Sequence, residues 1–533
     1  MSLVRNVGTI GGLTAVSRVF GFARDMLVAR ALGAGAAADA WQVAFILPNT
    51  FRRLFAEGAF SVAFVPMYSR ALYGDGGEAA AAKFANDVMA VFVWVLLGFS
   101  ALAMLAMPGL IWLLAREYQE VPGKFELAVE LSRITFPYLM LVSLVAMLSG
   151  VLNARSRFAP GAFVPVLLNI VLIAAIGAGY WLRGGSGDDR VMARALAWGL
   201  VAAGAAQLAY MVWATRRAGV RLAIHRPAIT PEVKRLSLLI LPATFGAGIY
   251  QVSQFVDTFF ATSLPQGSLT LLKFADRLNQ MPLGIIGIAL GTAILPMLAR
   301  HIQTGDDREA QRLQASAVEI ALLLTLPGAM ALAVCAPAFT TAFFLQGRMT
   351  PADVAIMAEI TMALVAGLPA YVLIKVFQPA FFSREDTRTP VLIAAGALLA
   401  NIALNVYAVP RYGITGLAAA TAITATGNVA TLYVILHRRG WFQWTARLTG
   451  RIARQLLATA VMGAVLYGTM GLLAGQFDGG VLERAGALAA LVLAGLVTFF
   501  AAAWIVGALD KDMVAQLRRR RPAPAKADPA VSD

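Results

Sequence analysis

Seven basic residues of this chain fall inside stretches that are otherwise apolar: Arg18, Arg24, Arg52, Arg53, Lys273, Arg277 and Lys375. Asp25, Glu57, Asp257, Asp276, Glu319 and Glu359 lie in similar surroundings, with Asp39 at the edge of one such stretch. A charge at the centre of a membrane helix costs roughly 2.5–3.5 kcal/mol, so these side chains must face water or one another. Arg18 and Asp25 are seven residues apart and share a helix face, whereas Arg24 points about 100° away from Asp25. Arg53 and Glu57 are i,i+4 neighbours and can pair. Arg18, Arg24, Arg52 and Arg277 then remain as free or half-neutralised cations, and a cavity lined by them wants an anion. The planar guanidinium fork suits phosphate oxygens, and several forks around one site suit a diphosphate. The competing reading is that these arginines only tie helices together through Asp25, Glu57 and Asp276. Their clustering in a few segments favours the cavity.

A second polar group comprises Asp257, Asn401 and Asn405 at i,i+4, and Thr421. One carboxylate among neutral oxygens is a set that can hold Na⁺ or a proton as a coupling cation. Interhelical hydrogen bonding accounts for the same residues equally well. Nothing points to an enzyme. No GxxxxGK[ST] loop and no HExxH occurs, and His225, His301 and His437 fall in expected loops. Cys335 stands alone, which excludes an intrachain disulfide. No cofactor is called for.

The elements that must position these residues are membrane helices. Of 533 residues 59% are hydrophobic and 14% charged, with a mean hydropathy of +0.72, far from an ordinary soluble domain. The expected class is an all-α polytopic membrane protein. At about 20 apolar residues per span, the sequence divides into fourteen: 7–30, 39–69, 84–107, 127–152, 161–182, 191–215, 236–262, 269–299, 316–344, 354–381, 389–409, 413–436, 454–474 and 485–508. With the N-terminus in the cytoplasm, 27 Lys and Arg fall on the inner side and 10 on the outer, as the positive-inside rule requires. Both termini are then cytoplasmic. The net charge of +15 is a topology signal in loops, and a nucleic-acid partner is not implied. The start, MSLVRN, carries no separate cleavable signal, so the first span is retained. The end, RRRRPAPAKADPAVSD, reads as a disordered cytoplasmic tail that is able to touch anionic lipid.

Two matches recur at one offset. FVPMYSR (64–70) resembles ILPMLAR (294–300), and LNARSRFAP (152–160) lines up with FSREDTRTP (382–390), each 230 residues apart. Spans 1–6 and 7–12 are therefore two similar halves. Because six is even, they run the same way through the membrane and are related by an axis along its normal. The expected units are an N-lobe (1–217), a C-lobe (218–440), a C-terminal helix pair (441–510) and the tail (511–533). Such halves place a cavity between them and can rock between inward-open and outward-open states. Glycines 8, 11, 12, 21, 33 and 35 offer hinge points in or near the first span.

The stretches SRVFGFARDMLVARALGAGAAADAW, FILPNTFRRLFAEGAFSVAFVPMYSR, KFADRLNQMPLGIIGIALGTAILPMLAR and FFSREDTRTP together resemble the MurJ (MviN) family. Its members are lipid II flippases of the multidrug/oligosaccharidyl-lipid/polysaccharide exporter superfamily. The resemblance implies fourteen helices in the bacterial inner membrane and movement of undecaprenyl-diphosphate-linked disaccharide-pentapeptide to the outer leaflet for peptidoglycan synthesis. Its partners would be that lipid, the surrounding membrane lipids and proteins of cell-wall synthesis or division. Carried over position by position, the substrate-binding residues are Arg18, Arg24, Asp25, Asp39, Arg52, Arg53, Glu57 and Arg277. The cation site would be Asp257, Asn401, Asn405, Thr421 and the carbonyl of Leu417, and the last two spans would border a groove for the lipid tail. A drug or polysaccharide exporter of the superfamily, and a non-transporting scaffold for cell-wall synthesis, are the rival functions. A drug exporter binding lipophilic cations wants a carboxylate-lined cavity, which the arginines argue against.

Overall fold

The computed structural model of the protein describes residues 3–52, 59–184, 187–220, 222–223 and 226–509. Its helices are α1 (Leu3–Leu32), α2 (Ala36–Arg52), α3 (Ala59–Tyr73), α4 (Gly77–Leu114), α5 (Lys124–Thr135), α6 (Tyr138–Ala154), α7 (Ala159–Arg183), α8 (Asp189–Arg217) and α9 (Pro231–Thr262) in the first part of the chain. They continue as α10 (Ser268–Gln303), α11 (Asp307–Val334), α12 (Ala336–Phe344), α13 (Pro351–Ala366), α14 (Leu368–Phe382), α15 (Arg388–Arg438), α16 (Ala446–Leu472), α17 (Ala474–Phe477) and α18 (Val481–Ile505). No strand occurs among the described residues. The fold is the expected all-α one, and nine helical stretches among the described residues are long and apolar enough to cross a bilayer.

Several expected spans are broken, and local chemistry says where. Span 127–152 divides into α5 and α6 at Pro137, which has no N–H to continue the ladder. Pro337 and Pro369 likewise stand in the opening turns of α12 and α14, dividing spans 316–344 and 354–381. Expected spans eleven and twelve form one 51-residue element, α15, broken inside at Gly413, whose φ of 58° and ψ of −139° suit a residue without a Cβ. The helices overrun the expected limits: α4 has 38 residues where the hydropathy marks 84–107. The proposed tail, 511–533, lies outside the described residues.

Among the N-lobe helices, α7 packs on α8 and α1, α2 on α5, and α6 on α8 and α3. In the C-lobe α10 packs on α11, α13 and α14, and α14 on α15; the α16/α18 pair lies against α11. One N-lobe seam shows how spacing becomes packing. Phe60, Phe64 and Tyr68 recur every fourth residue along α3, stack on each other, and meet Phe92 at 4.9 Å and Phe84 at 5.6 Å on α4. The repeat prolines occupy like positions, with Pro66 inside α3 and Pro296 inside α10, each four residues ahead of an arginine in the last turn or near it.

The turns alternate between two faces. The face bearing the N-terminus is here called proximal, and the opposite one distal. The distal half of α1 is buried, with Val28 3% and Leu32 2% exposed, whereas Val16 and Val19 in its proximal half are 42% and 66% exposed. Helix α9 begins against α3, where Val233 and Leu236 join the Phe60 cluster, so the lobes are bridged along that flank. The exposed part of α1 is thus its proximal half. The expected hinge glycines do not unwind α1, which is helical throughout its described length. Gly33, at φ +62°, instead makes the turn after it, and a Cβ there would stand 2.7 Å from the Arg348 carbonyl of the other lobe.

Candidate functional site

Asp25 is the centre of the site. Arg24 Nε and Nη2 donate to its Oδ1 at 3.0 and 2.7 Å, and Arg277 Nε from the other lobe stands 2.5 Å from its Oδ2. Of the two arginines that could pair with Asp25, Arg24 does so; Arg18 Nη1 reaches the Gln280 carbonyl at 3.4 Å, and its guanidinium lies over Gly284. Helix-face geometry alone does not decide the pair, because it tracks Cβ directions, whereas an arginine is long enough to curl back onto its neighbour. Arg24 is held in that pose by Asn169 of α7, whose Oδ1 accepts from Nη1 at 2.9 Å, and by the Phe45 ring, 5.5 Å from the guanidinium carbon. Asn169 in turn donates to the Ser17 carbonyl at 3.0 Å. It was missed, although a lone amide in the apolar run PVLLNIVL is a readable signal.

Two guanidiniums thus share one carboxylate, leaving an excess positive charge where α1 meets α10. The Arg24 side chain is 7% exposed and that of Arg277 38%, so Arg277 presents its remaining donors to the open space. Arg52, half-buried at the end of α2, donates from Nε to Asn49 Oδ1 at 3.0 Å. Arg53 and Glu57 lie outside the described residues.

Asp39 lies at the distal contact between the lobes. It is 2% exposed and all its acceptor capacity is used: Oδ2 receives Lys124 Nζ and Gly267 N, both at 2.8 Å, and Oδ1 receives Thr270 N at 3.2 Å and Thr270 Oγ1 at 2.7 Å. Gly267 and Thr270 are at the N-terminus of α10, so an N-lobe carboxylate caps a C-lobe helix and meets the positive end of its dipole. Lys124 is 3% exposed, 3.9 Å from the centre of the Tyr118 ring, and is no free loop cation. Burial, and then the charge of Asp39, push the Tyr118 phenol well above its ordinary value, so it stays protonated. Around this latch Thr262 donates to the Leu114 carbonyl at 2.7 Å. Arg348 of the C-lobe donates to the Arg30 carbonyl through its backbone at 3.1 Å, and through its side chain to Asp189 and the Gly187 carbonyl, both at 2.6 Å. These contacts join the lobes distally, and α9 meets α3 on the proximal side.

The second polar group lies on α9 and α15, which pack together. Asn405 donates to Asn401 Oδ1 at 2.9 Å, and Thr421 to the Leu417 carbonyl at 3.1 Å. Asn405 Oδ1 and Asp257 Oδ1 are buried and accept no hydrogen bond among the described residues. Orphaned hard oxygens of this kind fit a small cation. The charged groups acting on Asp257 are Lys273 and Asp276 of α10. Glu319, expected within the cavity set, instead pairs with Arg451 at 2.6 Å and ties α11 to α16. Glu359 is exposed beside Thr415.

A family model described as "Lipid II flippase MurJ" matches residues 28–486. The chain belongs to the MurJ family. Relatives named as probable lipid II flippases MurJ include one from Rhizobium tropici, 38% identical over the whole of both chains, and one from Rhizobium meliloti, 40% identical over 98% of this chain and 97% of its own. A lipid II flippase MurJ of Burkholderia cenocepacia is 33% identical over 95% of this chain and 98% of its own. Among solved structures, a MurJ in an inward closed conformation superposes with a TM-score of 0.74 at 23% identity, covering 93% of this chain and 98% of its own. An inward-facing multidrug transporter of the MOP superfamily gives 0.64 at 14% identity, covering 79% and 94%. These likenesses carry the MurJ fold, a multi-pass protein of the inner membrane built for transport rather than catalysis.

Proposed function

We propose that this chain flips lipid II from the cytoplasmic to the outer leaflet of the inner membrane, with its proximal face in the cytoplasm. The observation that carries this reading is the Arg24–Asp25–Arg277 cluster. It joins the two lobes through a carboxylate that neutralises only part of its arginine charge, and it leaves Arg277 half-exposed on the open side. A diphosphate arriving from the inner leaflet meets Arg277 first. By competing with Asp25 for that guanidinium, it loosens the tie between α1 and α10, which is the coupling that alternating access requires. The isoprenoid tail stays in lipid along the open α1 flank, and α16 and α18 present apolar faces beside it. An interior-negative potential of 100 mV favours outward passage of two negative charges by about 4–5 kcal/mol. A cation held by Asp257, Asn401, Asn405, Thr421 and the Leu417 carbonyl would supply positive charge for the return step. Asp257 and Asn405 contribute their unpartnered oxygens to it.

The test is depletion of the native protein in cells carrying Arg277→Ala or Arg277→Lys, followed by an assay of lipid II at the outer face. Arg277→Ala should abolish exposure of lipid II at normal protein abundance, and Arg277→Lys should retain a fraction, because an ammonium keeps the charge but loses the fork. Normal exposure with Arg277→Ala would overturn the assignment. Normal exposure on depletion without any variant, in cells lacking another flippase, would overturn the function and favour the scaffold.

A further inference from the structure

Twelve glycines among the described residues have a positive φ. At nine of them the turn alone accounts for glycine, because an added Cβ would meet open space or the end of a long side chain. At Gly33, Gly267 and Gly347 it would meet backbone, and each time the backbone is that of the opposite lobe. A Cβ on Gly33, at φ +62°, would stand 2.7 Å from the Arg348 carbonyl oxygen. One on Gly347, at φ +60°, would stand 2.3 Å from that of Arg30, and one on Gly267, at φ +93°, 2.4 Å from that of Ala34. Side-chain carbons do not approach a backbone oxygen so closely, so each contact requires the residue without a Cβ.

The first two contacts are reciprocal. Gly33 faces residue 348 while Gly347 faces residue 30, and between them the Arg348 N–H donates to the Arg30 carbonyl at 3.1 Å. That carbonyl lies in the last turn of α1, where helix carbonyls have no partner of their own. A C-lobe N–H thus caps α1, just as Asp39 of the N-lobe caps α10. The turn between α1 and α2 is therefore met by two C-lobe turns, one at Gly347 and one at Gly267. This seam differs in kind from the latch at Asp39. The latch works by charge, whereas the seam works by fit: main chain lies on main chain, and a single methyl group is enough to hold the lobes apart.

We propose that Gly33, Gly267 and Gly347 are gating residues, whose missing side chains are what allow the lobes to close distally. The inference deepens the flippase reading and rests on it, since alternating access needs a distal face that closes tightly and still reopens. These contacts seal by shape and contribute one hydrogen bond, so they bring the lobes close without tying them strongly.

The experiment compares Gly33→Ala, Gly267→Ala and Gly347→Ala with Gly219→Ala and Gly440→Ala in the full-length protein in nanodiscs. The two control positions have φ of +85° and +70° and nothing within 4 Å of an added Cβ, so they carry the backbone strain without the collision. Spin labels on the distal ends of α4 and α13 report the separation of the lobes. Each seam variant should lower the closed-to-open ratio about tenfold or more, as overpacking a closed interface does, and the controls should keep the parental distribution. Gly33→Asn should open the lobes as Gly33→Ala does, because asparagine tolerates a left-handed turn but still carries a Cβ. Seam variants that stay closed, or controls that open as far, would overturn the proposal. Loss of the fold in all the seam variants would make the contacts part of the fold rather than of a gate, and would overturn it as well. Seam variants that open, alongside normal exposure of lipid II on depletion of the protein, would leave the gate standing and refute the flippase reading instead.

Discussion

Replacing Asp39 by Asn is the sharpest test of the distal latch, because the substitution keeps the size of the side chain and removes only its charge and one acceptor. In the parent, one carboxylate receives four hydrogen bonds, from Lys124 Nζ, Gly267 N, Thr270 N and Thr270 Oγ1. An amide oxygen can retain the Thr270 pair, but the amide nitrogen then points its hydrogens at Lys124 and Gly267 N–H. Lys124, 3% exposed, is left charged with no counter-ion. Removing one partner of a buried ion pair costs about 3–5 kcal/mol. The ion pair with Lys124 lies within the N-lobe, whereas Gly267 and Thr270 belong to the opposite lobe, so the distally closed state loses the hydrogen bonds made there, about 1.5–3 kcal/mol for bonds to a charged group. At about 1.4 kcal/mol per factor of ten, the closed-to-open ratio should drop by one to two orders of magnitude. Spin labels on the distal ends of α2 and α10, read by pulsed dipolar spectroscopy in nanodiscs, report that ratio directly. Asp39→Asn should move the distance distribution to a longer population. An unchanged distribution in Asp39→Asn would show that the latch does not hold the lobes together.

Other substitutions separate contributions that look alike on a contact diagram. Asp189→Asn also breaks a distal ion pair, yet that pair is part-exposed, and the same distance measurement should register under about 1 kcal/mol. Hydrogen bonds from Thr389 and the charge of Arg439 lower the Asp386 pKa to about 2. Its contribution is therefore complete above its unfolded value near pH 4 and lost as pH falls towards 2, so Asp386→Asn should lower thermal stability by the same amount at every pH from 5 to 8. Glu319→Gln removes the charge that pairs with Arg451 across α11 and α16 and should loosen α16 from α11, increasing hydrogen exchange along α16. If a cation resets the transporter, Asp257→Asn should remove whatever ion dependence the parent shows; an identical ion dependence in the variant would dismiss the site.

The division between what was legible and what was not follows the range of the interactions. Charges in apolar helices are conspicuous because the bilayer penalises them locally, so Arg24, Asp25 and Arg277 could be singled out one by one. Their clustering was inferable because the repeat puts α1 and α10 in leading positions of two like halves. Pairing was not, since it depends on side-chain reach and on Asn169, which selects the pose of Arg24 from 145 residues away. The role of Asp39 was less accessible still. Two of its four donors are backbone N–H groups, and no side-chain pattern announces a backbone donor more than 200 residues distant. Lys124 carried the opposite trap: by position it is a loop cation, and only the fold shows that it is buried against Tyr118 and Asp39. The same logic explains why the cavity is cationic although two of its arginines are paired. Asp25 is one carboxylate among several arginines, and the other acid of that first motif, Asp39, is withdrawn into the latch. By spending Asp39 on closing the distal face, the fold leaves the proximal space with an excess of positive charge, so closure on one side and attraction of an anion on the other stem from the same residue.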